Sequence, residues 1–415
     1  MLDIHYVREN AEAVKKNCAN RGVNVDIDAL LESDKKRREH LQEIEQLRAQ
    51  LKRGSKTKPS DEEMLTLKKI GDDIQEKEKS LVAAEDAYKK LLLRVPNITH
   101  PESPVGGEED FKVLSTSGAV PQFSFTPKDH EQLLLDKGLI DFERGAKVTG
   151  TKFHFSKGDL VRLNQALINY GIDKVTAHGY ELMETPDMAK DEILTGIGFN
   201  PRGEETQIYS IEGSDLSLIG TAEITVGGYH AGEILDLSAG PKKYVALSHC
   251  FRTEAGAAGR VSKGLYRVHQ FVKLEMFVFC KPEDSDALHQ ELLSIEREIA
   301  DGLKLPYRVI DIATGDLGGP AYRKYDMEAW MVMKDGYGEI TSTSNCTDYQ
   351  ARRLNIRYRT PDGSAALVHT LNGTAINYSS RWPIAIIENF QNKDGSVTIP
   401  EILRPYMGGR EFIGK

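Results

Sequence analysis

The sequence predicts an α+β protein: an N-terminal antiparallel helical coiled-coil arm, then a domain of mixed strands and helices. Three observations carry this. Leu67, Ile70, Ile74, Lys77, Leu81, Ala84, Tyr88 and Leu91 alternate at spacings of three and four, the seam of a coiled coil interrupted only by Lys77. Residues 94–110, RVPNITHPESPVGGEED, hold three prolines and a glycine pair and read as a linker. Beyond it, residues 244–279 alternate between apolar and polar side chains as two strands joined by a long Gly/Ala-rich loop.

Taken in order, residues 1 to about 26 read as a short helical segment. A charged helix follows over about 28–51, with Leu31, Leu41, Ile44, Leu47 and Leu51 as its apolar positions. Gly54 and Pro59 break it, and Ser60 ahead of Glu63 has the spacing of a capping box opening the next helix. Two helices joined by a short polar turn fold back on each other. Arg48, Lys52, Arg53, Lys56 and Lys58 cluster at the tip, a charge run that by itself reads as a solvated surface.

After the linker, residues 157–175 have the pattern of an amphipathic helix, and HGYELMETPDM reads as a strand ending at Pro186. Thr221 and Glu223, two apart, share a face if extended. In the paired strands Ser248, Cys250, Arg252 and Glu254 fall on one face, with Val245, Leu247 and Phe251 on the other. Arg267, His269, Phe271, Lys273 and Glu275 likewise oppose Val268, Val272, Leu274, Met276 and Val278. Charges of both signs within a sheet are costly unless paired or liganded. A basic, Gly-rich loop with Arg260 and Lys263 closes over them. A helix is expected over HQELLSIEREIADGL. Glu339 and Ser342, three apart, meet on one face only if the strand bulges. Asn372 and Thr374 share a strand face, and Arg381 opens a helix with Pro383 in its first turn.

Composition sets the outer bounds. A chain of 415 residues suggests two or three domains with a large core. No apolar run is long enough to cross a membrane, and the N-terminus has no apolar signal-like core. Four scattered cysteines without a C-x-x-C pair argue against a zinc ribbon or disulfide framework and fit a reducing cytoplasm. A net charge of −9 excludes a generic polyanion binder, so any nucleic acid must meet local basic patches.

FRTEAGAAGR followed by GLYRVHQFVKLE resembles motif 2 of class II aminoacyl-tRNA synthetases, in the form seen in seryl-tRNA synthetases. The resemblance implies a tRNA-binding helical domain over 1–105, its arm at about 28–94, and a catalytic domain over 106–415 on a mostly antiparallel sheet flanked by helices. Motif 1 would span about 160–186, motif 2 about 244–279 and motif 3 about 369–391. It implies ATP-dependent attachment of L-serine to tRNA(Ser) through a seryl-adenylate, by a cytoplasmic homodimer without a membrane contact, and leaves selenocysteine tRNA open as a second substrate.

Residue roles follow from the same likeness. Arg252 would bridge the α-phosphate and the serine carboxylate, and Arg381 would hold the γ-phosphate; these two are the catalytic pair. Thr221 and Glu223 would receive the serine amino group, and Glu275 the hydroxyl, with Asn372 and Thr374 beside it. Phe271 would stack on adenine and Glu254 accept its amino group, with Arg267, Val268 and Lys273 completing the ATP site. Mg²⁺ would sit on Glu339 and Ser342, and no zinc is expected. Arg48, Lys52, Arg53, Lys56 and Lys58 would meet tRNA.

Spacing alone favours Glu275 as the partner of Lys273 or Arg267 in a structural ion pair, and the surrounding motif is what turns the reading to the substrate. Three departures from the family pattern stand out. Gly220 replaces a common proline, Gly338 an arginine found in some relatives, and one extra residue separates LNGT from Arg381. The last keeps open a paralogue with altered or lost tRNA charging, or one that charges a carrier protein. A coiled-coil scaffold with a purely structural sheet is the remaining alternative.

Overall fold

A computed structural model describes residues 1–54, 60–199, 207–255 and 263–414. The chain forms two compact units, Met1–Ile98 and Thr99–Lys415, and the boundary falls within the proline-rich stretch.

The first unit contains α1 (Ile4–Glu9), α2 (Ala11–Asn20), α3 (Ile27–Gly54) and α4 (Asp61–Arg94). The capping box is formed: Glu63 N–H donates to Ser60 Oγ at 3.3 Å and Ser60 N–H to the Glu63 carboxylate at 2.7 Å. Arg37 meets Tyr88 nearer the start of α3, while Glu43 and Arg48 further along meet Lys77 and Glu78 earlier in α4, so the pair is antiparallel. Ile44 and Ile74 are buried in the seam, and the other seam positions are half-buried. Lys77 is accommodated by Glu43 at 2.6 Å. Leu2, Val7, Val14, Cys18, Ile27, Leu30, Leu92 and Val95 form a small core at the base. Beside it Asp34, fully buried, is flanked by Arg8, Arg37 and Arg38 at 3.6, 3.2 and 3.0 Å. An unpaired carboxylate there would be strongly destabilising. Nothing in the apolar periodicity signals it.

The second unit is organised on an eight-stranded sheet. Its strands are β1 (Lys112–Ser117), β2 (Glu181–Glu184), β3 (Lys242–Phe251), β4 (Gln270–Cys280), β5 (Tyr307–Asp311), β6 (Arg323–Met331), β7 (Gly336–Thr347) and β8 (His369–Tyr378). The spatial order is β1-β5-β6-β7-β8-β4-β3-β2; every pair is antiparallel except β2 with β3. The flanking helices used below are α5 (His130–Asp136), α6 (Asp159–Ala177), α7 (Ala222–Tyr229), α8 (Ser285–Gly302), α9 (Tyr349–Leu354) and α10 (Arg381–Asn389).

Both faces of β4 are buried. Leu274, Met276 and Val278 join Leu163 and Leu167 of α6 and Leu292, Ile295 and Ile299 of α8 in the main core. The opposite face changes character along its length. Phe277 and Phe279 pack with Ile224 and Val226 of α7 and Ala351 and Leu354 of α9. Phe271, Lys273 and Glu275, on the same face, open into a cavity instead.

Four local expectations are revised. β3 ends at Phe251, so Arg252 and Glu254 lie beyond the ladder, and Glu254 sits at φ +52°. β4 begins at Gln270, after Arg267 and His269. Ser248 and Cys250 are buried while Leu247 and Phe251 are only half-buried, because Cys250 packs with Val268 and Phe271 in a small apolar cluster. Thr221 and Glu223 are not extended: Thr221 is the N-cap of α7, its hydroxyl accepting from Glu223 N–H at 3.2 Å.

Candidate active site

The cavity has a volume of about 490 Å³. β4 contributes Phe271, Lys273 and Glu275 at alternate positions, as a strand must. Thr374 of β8 lies directly across the ladder from Glu275, and Asn372 points to the same side. Glu339 and Ser342 both reach the cavity because β7 slips one residue against β6, where Thr341 pairs with Met327 but Glu339 with Glu328. Thr221 and Glu223 enter from the start of α7, Arg252 from just beyond β3, and Arg381 from the first residue of α10.

The side chains are held by named partners. Lys273 Nζ is 2.5 Å from Glu275 Oε2, and Thr374 Oγ1 donates to the same oxygen at 3.3 Å. The ion-pair reading of Glu275 is therefore realised, and it is realised inside the cavity. Glu223 Oε1 accepts from Gln350 Nε2 at 2.7 Å and Asn372 Nδ2 at 3.0 Å. Burial, followed by the nearby Glu275 charge, pushes the Glu223 carboxyl up to about 7. Arg252 donates from Nε to Gly220 O at 3.2 Å, and its guanidinium lies 5.2 Å from the Phe271 ring centre. Arg381 donates to Tyr266 O at 3.0 Å and Glu339 O at 2.7 Å, and lies over the Tyr266 ring at 4.0 Å. Burial disfavours the Glu339 anion, but Lys324, Arg381, Arg252 and Arg267 together hold its carboxyl below the usual range. The side chain remains 44% exposed to the cavity.

The extra residue ahead of Arg381 does not displace it. The β8 ladder shifts register between Thr374 and Ile376, Ser379 adopts φ +61°, and Arg381 lines the cavity.

Other expected residues stand apart. Glu254 pairs with Arg267 at 3.1 Å, and neither is among the cavity-lining residues; nor is Val268, which packs on Cys250. Arg48 is engaged by Glu78 at 2.7 Å, whereas Lys52 and Arg53 are exposed. Lys56, Lys58 and Arg260 lie outside the described residues. Among the described residues no three His, Cys, Asp or Glu side chains converge on a metal position.

Residues 1–99 match the family model described as "Seryl-tRNA synthetase N-terminal domain", and residues 208–390 that of the "tRNA synthetase class II core domain (G, H, P, S and T)". The chain is 54% identical to the serine–tRNA ligase of Treponema denticola, covering 98% of this chain and 99% of that protein. It is 51% identical to that of Rubrobacter xylanophilus, over 100% and 99%.

The chain belongs to the seryl-tRNA synthetase family.

Among solved structures, seryl-tRNA synthetase from Pyrococcus horikoshii complexed with ATP is similar with a TM-score of 0.92 at 38% identity, covering 100% of this chain and 99% of that one. The cytoplasmic enzyme of Naegleria fowleri in complex with AMP gives 0.87 at 32% identity, over 100% and 98%. In this chain two guanidinium groups, Arg252 and Arg381, share the cavity of about 490 Å³ with the carboxylates Glu223, Glu275 and Glu339.

Gln350 and Lys324 are polar neighbours of the cavity residues that the sequence did not single out. Gln350 is fully buried, yet its amide nitrogen meets Glu223 and its amide oxygen accepts from Thr370 at 2.7 Å. Lys324 lines the cavity and stands 2.9 Å from Asp326. Neither carries a sequence signal, since Lys324 lies in YRKYDME and Gln350 in DYQARR, among other charged and polar residues. No helix of the described residues is long and apolar enough to cross a membrane.

Proposed function

We propose that this protein activates L-serine with ATP and transfers it to tRNA(Ser). The observation that carries the reading is the placement of Arg252 between Gly220 at the α7 end of the cavity and Phe271 on the sheet, within the same cavity as Glu223 and Glu275. The serine carboxylate and the α-phosphate are both anions, so the first requirement is neutralisation and alignment. The Arg252 fork can contact both. The carboxylate oxygen attacks the α-phosphorus, pyrophosphate leaves, and a terminal ribose hydroxyl of tRNA then displaces AMP. Arg381 binds the departing phosphates and Phe271 the adenine.

Glu339 and Ser342 supply hard oxygen donors suited to Mg²⁺, which would take its remaining ligands from water and phosphate and offset phosphate charge.

The finer points are supported as follows. Exposed Val161 and Leu182, on α6 and β2, suit a homodimer contact through motif 1. The exposed Lys52 and Arg53 suit a tRNA backbone, and the same arm would accept selenocysteine tRNA. A cytoplasmic location follows from the tRNA substrate. Residues 1–105 and 106–415 are assigned as tRNA-binding and catalytic domains. Serine-dependent ATP–pyrophosphate exchange and charging of tRNA(Ser) test the whole reading. An enzyme that exchanges with neither serine nor another hydroxylated amino acid would sink it.

Two further outcomes are expected. Glu223 must be ionised to hold the serine ammonium, and its carboxyl gains a proton below about 7. KM for serine should therefore rise as pH falls below that value, by roughly tenfold per unit at the limit. In Glu223→Gln the KM should be high and flat over the same range. The sign for stability is the reverse of a salt-bridged acid. A raised carboxyl titrates at lower pH in the unfolded chain, so the empty enzyme should lose stability from the ordinary carboxylate range up to about 7. Separately, replacing Lys52 and Arg53 by alanine should leave exchange unchanged. The dependence of log(kcat/KM) for tRNA on log salt should then become shallower by about 1–2, as expected for one or two lost phosphate contacts.

A further inference from the structure

Outside the cavity, His130 and Glu388 form a fully buried pair joining the first residue of α5 to α10. Glu388 Oε1 accepts from the His130 backbone N–H at 2.9 Å and lies 2.7 Å from its Nδ1; Oε2 accepts from Met333 N–H at 3.0 Å. On the far side of the ring, Leu265 N–H donates to Nε2 at 3.0 Å. Only an unprotonated ring nitrogen can accept a backbone N–H, so the proton is assigned to Nδ1, facing the carboxylate. The ring is thus a one-way connector: it donates to α10 and accepts from the segment leading into β4.

The next two carbonyls of that segment are held as well. Leu265 C=O accepts from Ser380 Oγ at 3.1 Å, and Tyr266 C=O accepts from Arg381 Nε at 3.0 Å. Gly264, at φ +56°, lies so close that a Cβ there would stand 2.3 Å from His130 Nε2. The glycine is what permits the imidazole to reach Leu265 N–H.

We propose that His130 is a positioning residue of the nucleotide site: it holds the Leu265–Tyr266 peptides, and these set the location of the Arg381 guanidinium. The inference rests on the reading of Arg381 as a triphosphate ligand. No atom of His130 lines the cavity, so it acts only through the peptides it holds.

The test is steady-state ATP–pyrophosphate exchange with His130→Asn, His130→Gln, Gly264→Ala and Arg381→Ala. Asparagine is too short to reach Leu265 N–H, whereas the glutamine amide oxygen falls near the Nε2 position. Loss of one buried acceptor predicts that H130N raises KM for ATP about tenfold, with KM for serine changed less than about twofold, and that H130Q recovers most of the loss. G264A, which crowds Nε2 from outside the core, should give the same ATP-selective rise and serves if H130N does not fold. Equal rises for ATP and serine, or no rise in G264A, would overturn the proposal. Should R381A leave the ATP KM unchanged, the underlying assignment of Arg381 fails instead. A rise in R381A alone, with H130N and G264A unaffected, removes only the role of His130.

Discussion

Replacing Arg252 by alanine is expected to lower kcat/KM for serine-dependent ATP–pyrophosphate exchange by about 10³, or about 4 kcal/mol of transition-state stabilisation. The effect is large because two anions must approach each other in a site where carboxylates are also present. Glu223, Glu275 and Glu339 line the same cavity, so removal of one guanidinium leaves substrate charges facing enzyme charges. Arg252 lies beyond the end of β3, outside the main core, and its guanidinium donates to Gly220 O through Nε. Thermal stability should therefore change little, separating catalytic loss from unfolding. Arg252→Lys should recover only a small part, since an ammonium cannot bridge two oxyanions as a planar fork does. Exchange at near wild-type rate in the alanine variant would remove Arg252 from the reaction.

The second large effect concerns discrimination. Glu275 is 1% exposed, bound to Lys273 and Thr374, and directly opposite Thr374 in the sheet. If Glu275 also accepts the substrate hydroxyl, alanine in place of serine leaves that bond unmade. The wild-type preference for serine over alanine in exchange should therefore approach about 10⁴. In Glu275→Gln it should fall to about 10², because a neutral amide accepts more weakly and no longer demands the hydroxyl. The same change strands Lys273, 7% exposed, without its counter-ion and should cost about 3 kcal/mol of stability. The two readouts divide the alternatives raised by the sequence. If Glu275 serves only Lys273, stability falls and the serine-to-alanine ratio stays where it was.

Much of the site was legible because it is carried by strand parity. Phe271, Lys273 and Glu275 are two apart, as are Asn372 and Thr374, and all five line the cavity. The bulge needed to bring Glu339 and Ser342 together was also deducible, since a spacing of three cannot share a face in a regular ladder. Parity failed where the ladder stops. Glu254 and Arg267 lie beyond the strand ends and meet each other, and Thr221 and Glu223 open a helix. Their alternation matches that of a strand, whereas the structure has Thr221 capping a helix whose Ile224 and Val226 pack on Phe277 and Phe279.

The sequence by itself determined the two-part architecture, the coiled-coil seam, the capping box at Ser60 and the identity of the charged groups. Each depends on periodicity or on neighbours within four residues, which a linear string records directly. The tertiary structure alone decided that Asp34 would be buried among three arginines, that Gln350 would hold Glu223, and that His130 would meet both Glu388 and Leu265. Polar contacts of the last two kinds join residues more than a hundred positions apart. Their energy depends on angstrom-scale distance and on exclusion of water, and both exist only once the sheet and its helices have closed.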